Sequence, residues 1–276
     1  MDAFEDWIGK CETAVQTADL WPARGLAAVL NRPFAARIGD PVPPLAHWLY
    51  FTPAVPQSAI GSDGHPERGG FIPPIPQPRR MWAASNIEFL GPIHFGEEIE
   101  KTAEIVRISN KDGATGPLVF VEIRNSYRTG GAERLVETQT LVYRDPPGPG
   151  ETPAAKPAPT DAEWSISVTT DPTRLFRYSA VTFNAHRIHF DHPYVTGEEG
   201  YPGVIVHGQF IATMLMDALL EFPPDRLPSR FTFRALKPIL CRQIFFAEGR
   251  LSDDDSTLWA RNETGDMCLT AKATFT

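Results

Sequence analysis

The alternation of apolar and polar residues near the C-terminus predicts a β-strand. The segment GDMCLTAKATFT ends the chain, and apolar residues occupy every second position in it. Strict alternation of this kind is typical of a strand that buries one face and exposes the other. The buried face would carry Met267, Leu269, Ala271, Ala273 and Phe275, and Lys272 would lie on the opposite face with several threonines.

A different period, close to four residues, runs through GQFIATMLMDALLEF, which begins at Gly208. Its polar positions are Gln209, Thr213, Asp217 and Glu221, and the residues between them are apolar or small. This pattern predicts a helix that exposes only a narrow stripe to water. An antiparallel sheet that wraps around one long helix, the hot-dog architecture, would enclose it in this way. The central helix of another α+β core would give the same periodicity.

The order of predicted elements occurs twice along the chain. Pro92-Ile93 and Pro238-Ile239 each precede a polar turn and two or three predicted strands. Between the two copies lies DPPGPGETPAAKPAPT, residues 145–160, which is rich in Pro, Gly and Ala and has little to bury. We therefore predict an α+β double hot-dog fold, with one unit at 1–144, a linker at 145–160 and a second unit at 161–276.

Composition and charge narrow the classes of function. The chain has 276 residues, of which 42% are hydrophobic and 22% charged, as in ordinary globular proteins. A formal net charge of −8 disfavours a general nucleic-acid binder. Cys11, Cys241 and Cys268 are too widely spaced to suggest disulfides or a thiolate zinc site. The acidic start and the lack of a long apolar run predict a cytoplasmic protein with no membrane partner.

Three of the seven histidines fall within FNAHRIHFDH, residues 183–192. Such a cluster could bind a metal or could supply one acid/base group. Its spacing, H-x-x-H-x-D-H, resembles the H-x-H-x-D-H loop of metallo-β-lactamase-type hydrolases, with one residue too many between the first two ligands. No H-E-x-x-H zinc helix occurs in the chain. We predict no metal, although a zinc site assembled from distant parts of the chain stays an alternative. The residues concerned are His186, His189, Asp191 and His192.

The same segment resembles the signature of the MaoC-like, or hydratase 2, family, Asp-x-Asn-Pro-Leu-His followed by a Val-His-Gly helix start. Asn184 falls where the family has its aspartate, His189 falls on the catalytic histidine, and Val206-His207-Gly208 match the helix start. HWLYFTP, HPERGGFIPPIPQPRRMW and SAVTFNAHRIHFD are similar to the subgroup of 3-methylfumaryl-CoA (mesaconyl-C4-CoA) and itaconyl-CoA hydratases, with 3-hydroxyacyl-thioester dehydratases nearby. The resemblance implies a hydro-lyase whose first, FAS1-like half is non-catalytic and whose second half carries one active site.

The residue types suit the addition of water to a C=C bond that is conjugated to a thioester. His189 would act as the base, since an imidazole titrates near neutral pH. Asn184 would orient the water, because an amide cannot carry a titrating proton. Gly208 would present its N–H to the thioester oxygen at the positive end of the helix. We predict a syn addition in which His189 both takes and returns the proton.

Substrate contacts are predicted on both halves of the chain. Arg79 and Arg80, which follow the rigid IPPIPQP stretch, could bind a carboxylate or a phosphate, with surface solvation as the alternative. Asp191 would either orient His189 or bond nearby backbone. The remaining residues assigned to substrate binding are Arg187, Tyr201, Val206 and His207.

The prediction for function is the reversible hydration of 3-methylfumaryl-CoA or itaconyl-CoA to citramalyl-CoA. No cofactor is expected, because coenzyme A is part of the substrate. The alternatives are a dehydratase of longer 3-hydroxyacyl thioesters, a hot-dog thioesterase and a non-catalytic thioester-binding module. Whether two chains pair as a homodimer stays open.

Overall fold

Ten antiparallel strands form one continuous sheet in the computed structural model, which describes residues 4–113, 116–146, 155–222 and 226–275. The spatial order is β1-β3-β4-β5-β2-β7-β10-β9-β8-β6. The strands are β1 (Cys11–Thr17), β2 (Arg79–Phe89), β3 (Glu98–Gly113), β4 (Gly116–Thr129), β5 (Ala132–Arg144), β6 (Trp164–Thr169), β7 (Pro228–Ala235), β8 (Ile244–Leu251), β9 (Asp255–Asn262) and β10 (Met267–Phe275).

The sheet consists of two halves with the same topology. From one outer edge to the middle the order is β1-β3-β4-β5-β2, and from the other outer edge it is β6-β8-β9-β10-β7. In each half the strands therefore follow one another as the first, third, fourth, fifth and second strand in chain order. The halves join where β2 pairs with β7, from Ala84 opposite Arg234 to Glu88 opposite Arg230. Pro92-Ile93 and Pro238-Ile239 lie in the equivalent β2–β3 and β7–β8 connections. The predicted duplication is therefore confirmed, whereas residues 147–154 of the predicted linker lie outside the described residues.

The helix predicted after Gly208 is α4 (Gly208–Glu221), and it packs against β8, β9 and β10. Every residue from Phe210 to Met216 is buried, while Asp217 reaches the guanidinium of Arg32 at 2.9 Å. The exposed stripe is narrower than predicted because Thr213 is also buried. Its hydroxyl donates to the backbone carbonyl of Gln209 at 2.8 Å, so it needs no water.

The predicted C-terminal strand, β10, also follows its pattern. Leu269, Ala271, Ala273 and Phe275 are buried, whereas Lys272 is exposed. Met267, predicted on the buried face, is only half-buried, because a register shift interrupts the alternation between Met267 and Leu269. The apolar face of β10 contributes to the core that surrounds α4. The enclosure of α4 by a curved antiparallel sheet is the physical reason why its sequence is apolar on most sides.

Among the described residues of the first half, no helix is as long and as buried as α4. Its helix α1 (Leu20–Leu30) buries only Ala23, Leu26 and Val29, and it packs beside α2 (Pro172–Thr182) of the second half. A short helix leaves part of the first half's concave sheet face to be covered by loops. The remaining α-helix, α3 (His192–Gly197), is short. No described helix is long and apolar enough to cross a membrane.

A buried carboxylate lies on the inner face of the first half. Glu137 has no exposed surface. It accepts hydrogen bonds from Ser85 Oγ at 2.8 Å, Gln139 Nε2 at 2.9 Å and Trp48 Nε1 at 3.1 Å, and it contacts His47 Nε2 at 3.2 Å. Burial alone would raise the pKa of Glu137, but these bonds, with His47 foremost, hold it below its usual range.

Candidate active site

The chain between α2 and α4 places the predicted catalytic residues. Helix α2 ends at Phe183, which adopts a left-handed conformation with φ of 48°. The turn directs Asn184 towards the space in front of α4. The Asn184 Oδ1 accepts the backbone N–H of His186 at 3.0 Å. The amide NH2 of Asn184 is therefore left to donate into the cavity that this residue lines.

His189 ends a 3-10 helix, Arg187–His189, and is 8% exposed. Its Nδ1 lies 2.8 Å from the carbonyl oxygen of Ile205. A carbonyl can only accept, so Nδ1 carries the hydrogen and Nε2 keeps its lone pair. Burial lowers the pKa of His189 to about 4, partly opposed by the Ile205 hydrogen bond and assisted by the nearby His65. His189 is therefore a neutral base at physiological pH.

Four imidazoles follow one another across this region. The ring centroids are 4.2 Å apart for His65 and His186, 5.5 Å for His186 and His189, and 3.7 Å for His189 and His207. Burial lowers the pKa of His186 and of His207, and each is lowered further by its imidazole neighbours. Burial and the charge of Arg80 lower the pKa of His65 as well. The row is neutral near pH 7, because charged rings this close would repel one another.

These groups line one cavity of about 240 Å³ that is formed by both halves of the sheet. Gly208 opens α4 at its wall, where the first N–H groups of a helix have no intrahelical acceptor. A methyl group built on Gly208 would meet no other heavy atom within 4 Å. The space at the Cβ position of Gly208 is therefore unfilled, and the residue lies at the wall of the cavity, where a helix-start N–H could serve as an oxyanion donor.

Most of the residues predicted for the site lie together. The predicted residues that line the cavity are Asn184, His189, Gly208, Arg80, Tyr201, Val206 and His207. The placement agrees with the sequence prediction of a shared site, and the chemical role of each residue stays a prediction. The two predicted residues that do not line the cavity are both arginines.

Arg79 is one of these two arginines. It is buried, with Nε 3.0 Å from Glu199 Oε2, although its Nε–H makes no hydrogen bond there. Its guanidinium also lies 4.7 Å from the ring centroid of Tyr201. Of the two neighbouring arginines, Arg80 lines the cavity and Arg79 does not. The predicted role of Arg79 at the substrate stays a prediction.

Arg187 is the second predicted residue that does not line the cavity, and it makes several contacts beside the site. Its guanidinium lies 2.7 Å from Asp191 Oδ2, covers the ring of Tyr194 at 4.1 Å and donates to the backbone carbonyl of Ser62 at 2.9 Å. Asp191 also accepts the backbone N–H of Tyr194 at 3.1 Å and so caps α3. The predicted part of Arg187 in substrate binding stays a prediction. Of the two roles considered for Asp191, the structure shows backbone capping.

Sequence reasoning missed the contribution of the loop around His65 to the cavity. His65 lines it beside the second-half residues, and His186 is buried and lines it too. The loop that carries His65 contacts the catalytic segment closely, since a Cβ on Gly64 would lie 1.9 Å from the carbonyl oxygen of Ala185. No periodicity or spacing in GSDGHPERGG connects this loop with residue 186, so the contact could not be predicted from the sequence.

Three of these side chains also form a group that could hold a cation. One ligand atom from each of Asp63, His65 and His186 lies within 4.8 Å of the others. Carboxylate oxygen and imidazole nitrogen are ligands that zinc accepts. The positive charge of Arg80 lowers the pKa of both histidines, and it would oppose a second cation at the same place. If the alternative of a zinc site built from distant parts of the chain is correct, Asp63, His65 and His186 are the candidate ligands.

The chain matches a known protein family over most of its length. Residues 45–241, which include residues 183–192 and the start of α4, match the family described as hydroxyacyl-thioester dehydratase type 2. The chain belongs to this family. The predicted kinship with MaoC-like dehydratases and the predicted hydro-lyase class are confirmed.

Similar proteins and solved structures cover nearly the whole length of the chain. The mesaconyl-C(4)-CoA hydratase of Chloroflexus aurantiacus is 43% identical over 270 residues, 96% of this chain and 95% of the relative. The solved structure of HtdX from Mycobacterium tuberculosis has a TM-score of 0.68 at 22% identity and covers 97% of this chain and 100% of its own. Another M. tuberculosis protein, described as a double hotdog fold, has a TM-score of 0.60 at 12% identity over 98% of this chain and 96% of its own. The predicted α+β double hot-dog fold is confirmed.

Proposed function

We propose that this enzyme reversibly adds water to the C=C bond of a 2-enoyl-CoA, with 3-methylfumaryl-CoA (mesaconyl-C4-CoA) as the preferred substrate and citramalyl-CoA as the product. The observation that carries the proposal is the convergence of three groups on one cavity: the Nε2 lone pair of His189, the amide NH2 of Asn184 and the open space at Gly208. The likeness over nearly the whole chain to a mesaconyl-C(4)-CoA hydratase supports the choice of acyl group.

In this mechanism the thioester oxygen lies at the start of α4 and accepts the N–H of Gly208. A water held by Asn184 and His189 attacks the β-carbon while His189 Nε2 takes its proton. Negative charge then develops on the thioester oxygen, where helix N–H groups stabilise it. The same imidazole returns the proton to the α-carbon, so hydroxyl and hydrogen add to one face of the double bond. No group other than coenzyme A, which is part of the substrate, is needed for these steps.

Arg80 supplies a partner for the second carboxylate of the substrate. In 3-methylfumaryl-CoA this carboxylate is attached to the carbon that receives the water, so its partner must lie close to His189. Arg80 lines the cavity and lowers the pKa of His186, which packs against His189. No described residue makes a hydrogen bond or ion pair with its guanidinium. Arginine suits a carboxylate because its planar fork can donate two parallel hydrogen bonds.

A second candidate, the dehydration of longer 3-hydroxyacyl thioesters, is favoured by a second cavity. This cavity has a volume of about 350 Å³ and lies against the first half's sheet. It shares His65, Arg80, Trp82, Asn184 and Gln209 with the catalytic cavity, so an acyl chain could continue from one into the other. The walls include Trp48, Phe51 and Tyr127, whose apolar surfaces would suit a longer chain.

Incubation of the purified enzyme with a panel of CoA thioesters tests the proposal. The panel contains 3-methylfumaryl-CoA, itaconyl-CoA, crotonyl-CoA and a longer 2-enoyl-CoA, and mass spectrometry follows the gain of one water. We expect the fastest hydration with 3-methylfumaryl-CoA and, for His189→Ala, a loss of about 10²–10⁴ in kcat. His192→Ala, an exposed histidine of α3, is the matched control. Full activity of His189→Ala, or release of free thiol without hydration, would refute the proposal.

A further inference from the structure

Asp63 and His65 form an oriented pair in the first half. Asp63 Oδ1 accepts the backbone N–H of His65 at 2.9 Å, and Oδ2 lies 3.3 Å from the Nδ1 of the same residue. Burial would raise the pKa of Asp63, but the bonds from His65 and the charge of Arg80 hold it below its usual value. An ionised carboxylate can only accept, so it fixes the hydrogen of His65 on Nδ1 and leaves Nε2 with a lone pair.

The loop that carries this pair is fixed to the catalytic segment. The backbone carbonyl of Asp63 accepts the N–H of Arg187 at 2.9 Å, two residues before His189. Gly64, with φ of 91°, allows the two backbones to approach closely at Ala185. These contacts give the His65 ring a defined position against His186 and in the wall of the cavity that His189 also lines.

The His65 side chain is only 20% exposed, and no described residue makes a hydrogen bond to its Nε2. This atom is not among the fully buried unpaired atoms, so it is accessible and can accept a hydrogen bond from a ligand in the cavity that His65 lines. The attacking water of the proposed mechanism is such a ligand. One of its hydrogens goes to His189 and its oxygen accepts from Asn184, which leaves its second hydrogen without an acceptor in an enclosed site.

We infer that His65 Nε2 accepts this second hydrogen, so that the first half supplies a catalytic residue and Asp63 acts as a positioning residue behind it. The inference rests on the proposed function. One water proton moves to His189 Nε2 and later to the α-carbon, the oxygen bonds to the β-carbon, and the π electrons shift to the thioester oxygen and back. His65 stays neutral and only accepts a hydrogen bond. The amide at position 184 can then donate to the water, because the acceptor role is filled by His65.

Kinetics of three variants test the role of His65 with 3-methylfumaryl-CoA. His65→Phe keeps a ring but removes the acceptor, and we expect kcat to fall about 10- to 100-fold, the effect of one lost hydrogen bond to a reacting group, with little change in KM. His65→Gln restores an acceptor oxygen and should recover part of kcat. His192→Ala should match the wild type. A kcat of His65→Phe within about twofold of wild type would overturn the inference, since a twofold change is well below the effect of one hydrogen bond.

The tautomer of His65 can be measured by ¹⁵N NMR in the wild-type protein, so this test does not require that a variant folds. We expect the wild-type His65 to carry its hydrogen on Nδ1, and Asp63→Asn, whose amide can also donate, to shift the population towards Nε2–H with a parallel fall in kcat. A wild-type His65 protonated at Nε2 would overturn the inference. So would stoichiometric zinc that disappears in His65→Phe, because the ring would then be a ligand. An inactive wild type would instead refute the proposed function itself.

Discussion

The activity of this enzyme should stay nearly constant as the pH falls from about 8 to about 6. The reason is that His189, the proposed base, lies in a buried, imidazole-rich cavity that disfavours its charged form. An exposed histidine base would lose most of its unprotonated form over this range. The acid limb of kcat/KM, which reports the free enzyme, therefore measures the environment of His189 directly.

The size of the effect follows from the pKa. With a pKa of about 4, about 99% of His189 is unprotonated at pH 6, compared with about 24% for a histidine with the ordinary pKa of about 6.5. The predicted kcat/KM at pH 6 is thus nearly that at pH 8, whereas an unperturbed base would give about a fourfold loss. Half of the activity should be lost only near pH 4, the pKa of His189.

The assay is the initial rate of hydration of 3-methylfumaryl-CoA at limiting concentration, at half-unit steps of pH. Acid unfolding needs a control, because a histidine with a lowered pKa in the folded state weakens folding as the pH falls below about 6.5, where the unfolded chain takes up its proton first. Circular dichroism at each pH, and recovery of the rate after return to neutral pH, separate the two causes. A reversible half-loss near pH 6.5 in folded protein would refute this account of His189.

Three further predictions concern single substitutions. Gly208→Ala should leave the melting temperature nearly unchanged and lower kcat/KM at least tenfold, because its methyl group has room in the protein but occupies the substrate's space. Glu137→Ala should lower the free energy of unfolding by about 3–5 kcal/mol in urea titrations, since it leaves four buried or half-buried partners without their acceptor. Gly64→Ala should both destabilise the protein and lower kcat, because its methyl would collide with Ala185.

Matched controls make these substitutions decisive. Gly69 also has a positive φ, 99°, but a Cβ there meets nothing within 4 Å, so Gly69→Ala isolates backbone strain from the collision at Gly64. Equal effects of the two glycine substitutions would contradict the close-contact argument. Glu137→Gln keeps the shape and an acceptor oxygen, and it should be milder than Glu137→Ala. Unchanged kinetics for Gly208→Ala would show that the space next to α4 is not the substrate's.

The sequence predicted those parts of the fold that rest on periodicity. Helix α4 and strand β10 repeat their apolar positions because each packs against the same core, and that constraint is local. Asn184, His189 and Gly208 were predicted together from their resemblance to a family signature, which occupies one continuous stretch that leads into α4. The duplication was visible because each half folds by the same order of elements.

The rest depends on contacts between distant parts of the chain. Whether Arg79 or Arg80 faces the cavity is set by the register of β2 against β5 and β7, which the pair RR does not reveal. The placement of His65 depends on one close backbone approach, at Gly64 and Ala185. Glu137 lies in a strand pattern that marks it as polar, and only the tertiary structure supplies the donors that make its burial tolerable.

The β2–β7 pairing joins the halves within one polypeptide. In a dimer of two identical subunits related by a twofold axis, each mutation appears in both subunits. A mutation would therefore alter both walls of a site formed between them. A tandem chain escapes this symmetry, so a substitution in one copy leaves the other as it was. Division of labour between the copies then becomes accessible to evolution one residue at a time.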